Sequence, residues 1–422
     1  MAYIGNYLNL PSLQKKEIKI PHGEHAKNST FERQISRLPR EVKYCRKCVV
    51  SNQRPRIVFD DEGICGACRW AEEKGKGVDW SVRRKQFEDL LDKHRRTDGG
   101  FDVLVPCSGG KDSGMIAHKL KYEYGMNPLT VTWSPLLYTE IGFQNLHNMT
   151  LSGLPNHLFT PNRLIQRKIS QLGFVLLGNH FEPFGRGQMA YAFHVALDLK
   201  IKLIMFGEQG ELEYGGSLKN KDKPGMPIED WVEMYHKGSK MDELISFGLE
   251  NGYIEKDEAK TPCLKYYAPP DGEALSKLGV EFHWYGYYHK WLPQENFYYA
   301  SEHFGFKTNP EGHSEATYSK YASLDDLTDP FHYYLSFIKF GIGRATSDAA
   351  HEIRDAHLTR EEGVALVHRY DHIFPERYFK EFLKYIDFTE EAFWEVVDLY
   401  RAKSNHLWEK KGEEWILKHV VS

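Results

Sequence analysis

An apolar run at 101–107 (FDVLVPC) leads without a break into Ser108-Gly109-Gly110-Lys111-Asp112-Ser113, and a helical pattern follows at 112–124. Strand, glycine turn and helix in immediate succession open a parallel α/β unit. The glycines let backbone N–H groups turn inward, and a helix starting near Asp112 aims its positive end at the same point. Such a loop suits a phosphate. Ser108 and Ser113 add hydroxyl donors, and Lys111 adds a point charge. The plainer alternative is a serine–glycine turn that only caps a helix. The spacing is not that of the Walker loop, which needs G-x4-G-K-[ST].

The alternation continues downstream. Strands are expected at 128–133 and 202–206, with a short extended piece at 157–160. Helices are expected at 81–97, 139–151, 162–172 and 187–199. Strands alternating with helices predict a parallel sheet wound by helices, whose ligands bind beyond the carboxyl ends of the strands. The 331–422 tail reads as helical, and Thr359 with Glu362 forms a capping-box pattern. Thr389 starts a similar pattern only in part. Four regions follow: an N-terminal arm at 1–40, a cysteine module at 41–75, a nucleotide domain at 98–215, and an aromatic-rich, helical region at 216–422.

Four of the six cysteines form Cys45-x2-Cys48-x16-Cys65-x2-Cys68. Each x2 pair lets two thiolates meet one ion, and two pairs complete a tetrahedral site that suits Zn²⁺. With no open ligand position, such an ion is structural. An iron–sulfur cluster on the same ligands and four unrelated thiols are the alternatives. The chain shows no secretory signal pattern and no long apolar run, so a reducing, cytoplasmic setting without a membrane span is expected. Its 55 basic and 59 acidic residues give a net charge of −4, which argues against a general nucleic-acid binder.

Three further stretches carry candidate chemistry. The 207–216 run (GEQGELEYGG) follows the strand at 202–206, where a neighbouring strand should end beside the glycine loop. Mg²⁺ on a pyrophosphate needs carboxylate oxygens, so Glu208 and Glu211 are its candidate ligands, with Glu213 behind. A solvated acidic loop is the alternative. In KFGIGRAT, Lys339 and Arg344 stand beside glycines and could neutralise charge on a leaving group. Alone, that pattern fits a helix-end ion pair equally well. The aromatic stretch at 282–299 offers faces for a sugar or base, although core packing is the commoner use of such residues.

The 108–113 loop resembles the S-G-G-x-D-S PP-loop of ATP pyrophosphatases, which split ATP between its α and β phosphates. Combined with Cys45, Cys48, Cys65, Cys68, the GEQGELEYGG run and KFGIGRATSDAAHEIRD, the chain resembles the bacterial N-acetyl sugar amidotransferases of surface-polysaccharide and flagellin-glycan biosynthesis. That resemblance implies an adenine-nucleotide α-hydrolase-like fold with ATP, Mg²⁺ and Zn²⁺ as cofactors. ATP would be bound by Ser108, Gly109, Gly110, Lys111, Asp112 and Ser113, with Lys111, Asp112, Lys339 and Arg344 as catalytic candidates. It implies that ATP adenylates an acetamido oxygen of an activated sugar and that ammonia displaces AMP to give an acetamidino group.

The nitrogen source is a separate question. Neither Cys107 nor Cys263 sits in a glutaminase pattern, and position 2 is alanine. A separate glutaminase with a synthase-like channel partner is therefore expected, as the resemblance also implies. A PP-loop tRNA thiolase is the nearest rival. It needs cysteines downstream of the loop, and only Cys263 lies beyond Cys107. A non-catalytic zinc-ribbon protein with a degenerate nucleotide fold is the other rival, disfavoured by the intact loop.

Overall fold

The computed structural model describes residues 10–13, 30–216, 218–228, 231 and 241–422. Five parallel strands form the central sheet: β1 (Val103–Pro106), β2 (Pro128–Trp133), β3 (Asn156–Phe159), β4 (Leu203–Phe206) and β5 (Glu281–Trp284). Their order is β3-β2-β1-β4-β5. The winding direction therefore reverses between β1 and β4. In open α/β sheets the crevice at that reversal is where ligands bind.

The central strands are buried on both faces, and the two-residue period sorts their side chains. Leu104 and Ile204 join one core, with Ile169, Phe193 and Ala196. Val103, Val105, Leu203 and Met205 join the other, with Met115, Ile116 and Leu120. Helices Lys111–Tyr122 and Glu182–Leu199 both pack on β1 and β2. The four strands expected from sequence are all present. β5 was not expected: three of its four residues belong to the aromatic stretch at 282–299, which reads as one aromatic run rather than as a strand.

Most of the arm expected at 1–40 lies outside the described residues. Of what is described, the Pro11 carbonyl accepts from Arg167 Nη1 at 2.8 Å, and Ile35 and Leu38 are buried in the core.

The carboxyl-terminal helices are Asp329–Phe340, Arg344–Arg354, Arg360–Tyr370, Phe379–Ile386 and Glu390–Lys403. Thr359 and Glu362 form the expected capping box, and Thr389 caps the last helix through Ala392 N. A hairpin follows, β6 (Trp408–Lys411) with β7 (Glu414–Leu417), antiparallel and unanticipated. Gly412 supplies the positive φ that its two-residue turn requires. This region is not a detached unit: Phe174 stacks on Phe393 at 5.5 Å, and Arg167 donates to the carbonyls of Lys384 and Tyr385. Among the described residues, no helix is long and apolar enough to cross a membrane.

Candidate functional site

The 108–113 loop leaves β1 at the sheet reversal. Gly109 has φ +87°, and a Cβ there would lie 2.5 Å from Leu146 Cα, so only glycine fits. Gly110 starts the Lys111–Tyr122 helix without a side-chain cap, which leaves first-turn N–H groups for an incoming anion. Lys111 is buried and pairs with Asp112, whose other oxygen accepts from Asn296 Nδ2 at 2.8 Å. Cys107 supports the loop from behind: its sulfur accepts from Ser113 Oγ at 3.1 Å and from Gly109 N at 3.4 Å. Burial pushes its thiol up to about 11, so it stays protonated and is not a nucleophile at neutral pH.

Of the acidic residues after β4, Glu208 lines the same pocket as the 108–112 segment. Burial and the nearby Asp112 carboxylate raise its pKa. Glu211 does not line the pocket. Its carboxylate pairs with Arg56 of the cysteine module, which takes it away from any phosphate-bound cation. Glu213 is buried and accepts from Lys74 Nζ and Trp70 Nε1, each at 2.9 Å. It therefore locks the loop to the cysteine module. The hard-cation donors offered to the pocket on this side are those of Glu208 and Asp112.

The four cysteines are buried, and their sulfur atoms all lie within 4.8 Å of one another. Cys45 Sγ accepts from Lys47 N at 3.4 Å and from Cys65 N at 3.3 Å. Four soft sulfur donors with supporting N–H bonds fit a tetrahedral ion such as Zn²⁺ and leave no position open for substrate. The module rests on the loop after β4: Val58 N donates to the Gly215 carbonyl at 2.8 Å, and Gly66 packs against the Gly215 and Gly216 carbonyls. An ion held there would brace the loop after β4, which brings Glu208 to the pocket.

A second wall faces the glycine loop. Arg344, Asp348, His351, Glu352 and Asp355 line the pocket. Their spacing of four, seven, eight and eleven residues puts them on one side of the Arg344–Arg354 helix and its end. Asp371 sets the start of that helix by accepting from Gly343 N, Thr346 N and Thr346 Oγ1. Arg344 pairs with Asp348 at 3.2 Å and donates to the Tyr333 hydroxyl.

Tyr321 and Asp325 complete the second wall from the preceding loop. That loop is strapped to the segment after β2, with Leu327 N donating to Leu137 O at 2.9 Å and Leu136 N to Asp326 Oδ2 at 2.5 Å. Burial, helped by Asp329, pushes the Asp325 carboxyl up to about 6.

One sequence expectation changes here. Arg344 joins the pocket, but Lys339 does not. The Lys339 ammonium is buried on the far side of its helix, donates to Leu177 O at 2.7 Å and lies 3.6 Å from Glu32. It holds helices together and reaches no leaving group. The aromatic stretch is mainly packing: Phe87 meets Tyr285 edge-on at 5.6 Å and His289 at 4.8 Å. Trp291 is its aromatic residue on the pocket wall. Sequence reasoning missed Asp348, His351, Glu352 and Asp355. Their signal is a polar face at helical spacing in RATSDAAHEIRD, set against the buried Ala345, Ala349 and Ala350.

Comparison with known proteins bears on this second wall. The chain is 21% identical to an uncharacterized protein of Methanocaldococcus jannaschii, an alignment covering 56% of this chain and 99% of that relative. Residues 315–420 match the model of the LPS biosynthesis protein WbpG-like, C-terminal domain. Arg344, Asp348, His351, Glu352 and Asp355 all fall inside that match, whereas the 108–113 loop and Glu208 lie outside it. The match supports a place for this domain in lipopolysaccharide or polysaccharide biosynthesis.

Proposed function

We propose that the protein is an ATP-dependent, AMP-forming amidotransferase that converts an acetamido group of an activated sugar into an acetamidino group. The observation that carries this reading is the convergence of two unlike walls at the sheet reversal. One is a glycine loop with open helix N–H groups, and the other is a polar helix face within the domain matched to polysaccharide biosynthesis.

The chemistry follows from the reacting groups. An amide oxygen is a poor leaving group, so its attack on the α phosphate of ATP first makes it an ester and releases pyrophosphate. Ammonia then attacks the activated carbon, the C–O bond to AMP breaks, and the amidine forms. The protein's task is to position these groups and stabilise charge. The 108–112 backbone and Lys111 would hold the phosphates, and Arg344 would face the charge that develops on them. Glu208 and Asp112 offer the hard oxygens that a phosphate-bound Mg²⁺ needs. Zn²⁺ on the four cysteines would be structural. The buried, protonated Cys107 thiol supports a nitrogen supply from outside this chain, by a glutaminase and channel partner.

The test is incubation with ATP, Mg²⁺, ammonium and a panel of nucleotide-linked acetamido sugars. AMP release with an acceptor mass loss of about one unit, O replaced by NH, is the expected result for this reaction class. Unchanged turnover in Lys111→Ala and Asp112→Ala would overturn the site assignment.

A further inference from the structure

We propose that His351 is the base that takes the proton from the attacking nitrogen, an assignment that rests on the amidotransferase reading above. Of the six carboxylates that line the pocket, Glu208 is the one offered to a phosphate-bound cation, Asp355 ends the helix under the charges of Lys74 and Arg354, and the other four are engaged by protein groups. Asp112 is held by Lys111 and Asn296, and Asp348 by Arg344 and Thr317. Glu352 accepts from the hydroxyls of Tyr318 at 3.2 Å and Tyr321 at 3.5 Å, and Asp325 is bonded to Ser108.

Two pocket-lining side chains bury a polar atom outside a well-formed hydrogen bond, Ser323 Oγ and His351 Nε2. The Ser323 hydroxyl lies beside the Asp329 carboxyl. His351 Nε2 is thus left without a protein partner. A buried polar atom without a protein partner calls for an explanation, and for one on a pocket-lining side chain a bound ligand supplies it. The ring itself is held edge-on by Tyr214, with centroids 5.1 Å apart.

The surroundings suit a neutral base. His351 lies within the electrostatic reach of Arg354 on its own helix, Lys74 and Arg54 of the cysteine module, and Lys111 of the glycine loop. Burial and these cations hold the imidazole well below its usual range, so it enters the reaction uncharged. Only neutral ammonia carries the lone pair that attacks the activated carbon, a condition that direct delivery from a partner would meet.

The step balances. The ammonia lone pair forms the C–N bond, and the C–O bond breaks with its electron pair leaving on AMP. One nitrogen-bound proton passes to His351 Nε2, and the surrounding cations then drive its release.

Two partial reactions separate this role from the rest. Acceptor-dependent exchange of labelled pyrophosphate into ATP, without ammonia, reads adenylation alone. Amidine formation with added ammonium reads both steps. For His351→Gln we expect exchange close to that of the unaltered protein and amidine formation lowered by about 10²–10⁴-fold, the usual span for a general base. Added imidazole should restore part of the turnover of His351→Ala. Amidine formation retained in both variants would overturn the proposal. So would an equal loss of exchange and amidine formation, because the residue would then serve nucleotide binding or folding. Absence of any acceptor-dependent exchange in the unaltered protein would instead overturn the amidotransferase reading itself.

Discussion

The two walls of the pocket are built by different means. The glycine-loop wall is local: five consecutive residues from Ser108 to Asp112 line it, and one positive φ and one uncapped helix start set its shape. The opposite wall is assembled at a distance. It needs the start of the Arg344–Arg354 helix held by Asp371, and the loop holding Asp325 strapped to the segment after β2. The first wall offers backbone N–H groups to any phosphate. The second offers an irregular set of acids, a histidine and an arginine. Under the proposed function, phosphate binding would fall mainly to the first wall and acceptor recognition to the second, with Arg344 facing the phosphates from across the pocket.

That contrast can be broken or sharpened by experiment, starting with the largest effect. Structural zinc contributes roughly 10–16 kcal/mol of apparent binding energy in small modules. Stripping the ion with a chelator should therefore lower the melting temperature sharply. Trp70, bonded to Glu213 under the glycine-loop wall, should change its fluorescence in the same transition. An unaltered melt after verified metal loss would contradict the buttress role of the cysteine module.

Glu213→Ala would strand the buried Lys74 ammonium. Breaking one side of such a pair costs about 3–5 kcal/mol, read as a shift of the denaturant midpoint. A shift near zero would mean that the loop after β4 stands without the module.

Gly109→Ala forces a Cβ against Leu146 Cα. It should cost about 1–3 kcal/mol and abolish nucleotide binding measured by calorimetry. Retained affinity would remove the local wall from the account.

Lys339→Met is the control. It should cost stability, about 1–3 kcal/mol for the bonds lost to Leu177 O and the charge left on Glu32, without moving nucleotide affinity. A selective loss of affinity would return Lys339 to the site.

What was legible in the sequence follows the same division. β1 to β4 and the glycine loop were readable because period, glycine placement and chain order are local signals. Cys45, Cys48, Cys65 and Cys68 were readable because their doubled spacing is a ligand pattern. β5 was hidden because its aromatic residues pack like the stretch that follows them. Lys339 and Arg344, five residues apart beside the same glycines, looked alike in sequence. The burial of one and the pocket exposure of the other depend on two helices meeting at Gly341. His351 carried only a helical periodicity, whose meaning depends on which side of the helix faces the sheet.

The central claim is that both walls serve one AMP-forming reaction. Phosphorus NMR of ATP consumption, with Mg²⁺, ammonium and a nucleotide-linked acetamido sugar, tests it most directly. AMP and pyrophosphate should appear in equal amounts and only when the acceptor is present. ADP and inorganic phosphate as products, or AMP formed at the same rate without acceptor, would contradict it.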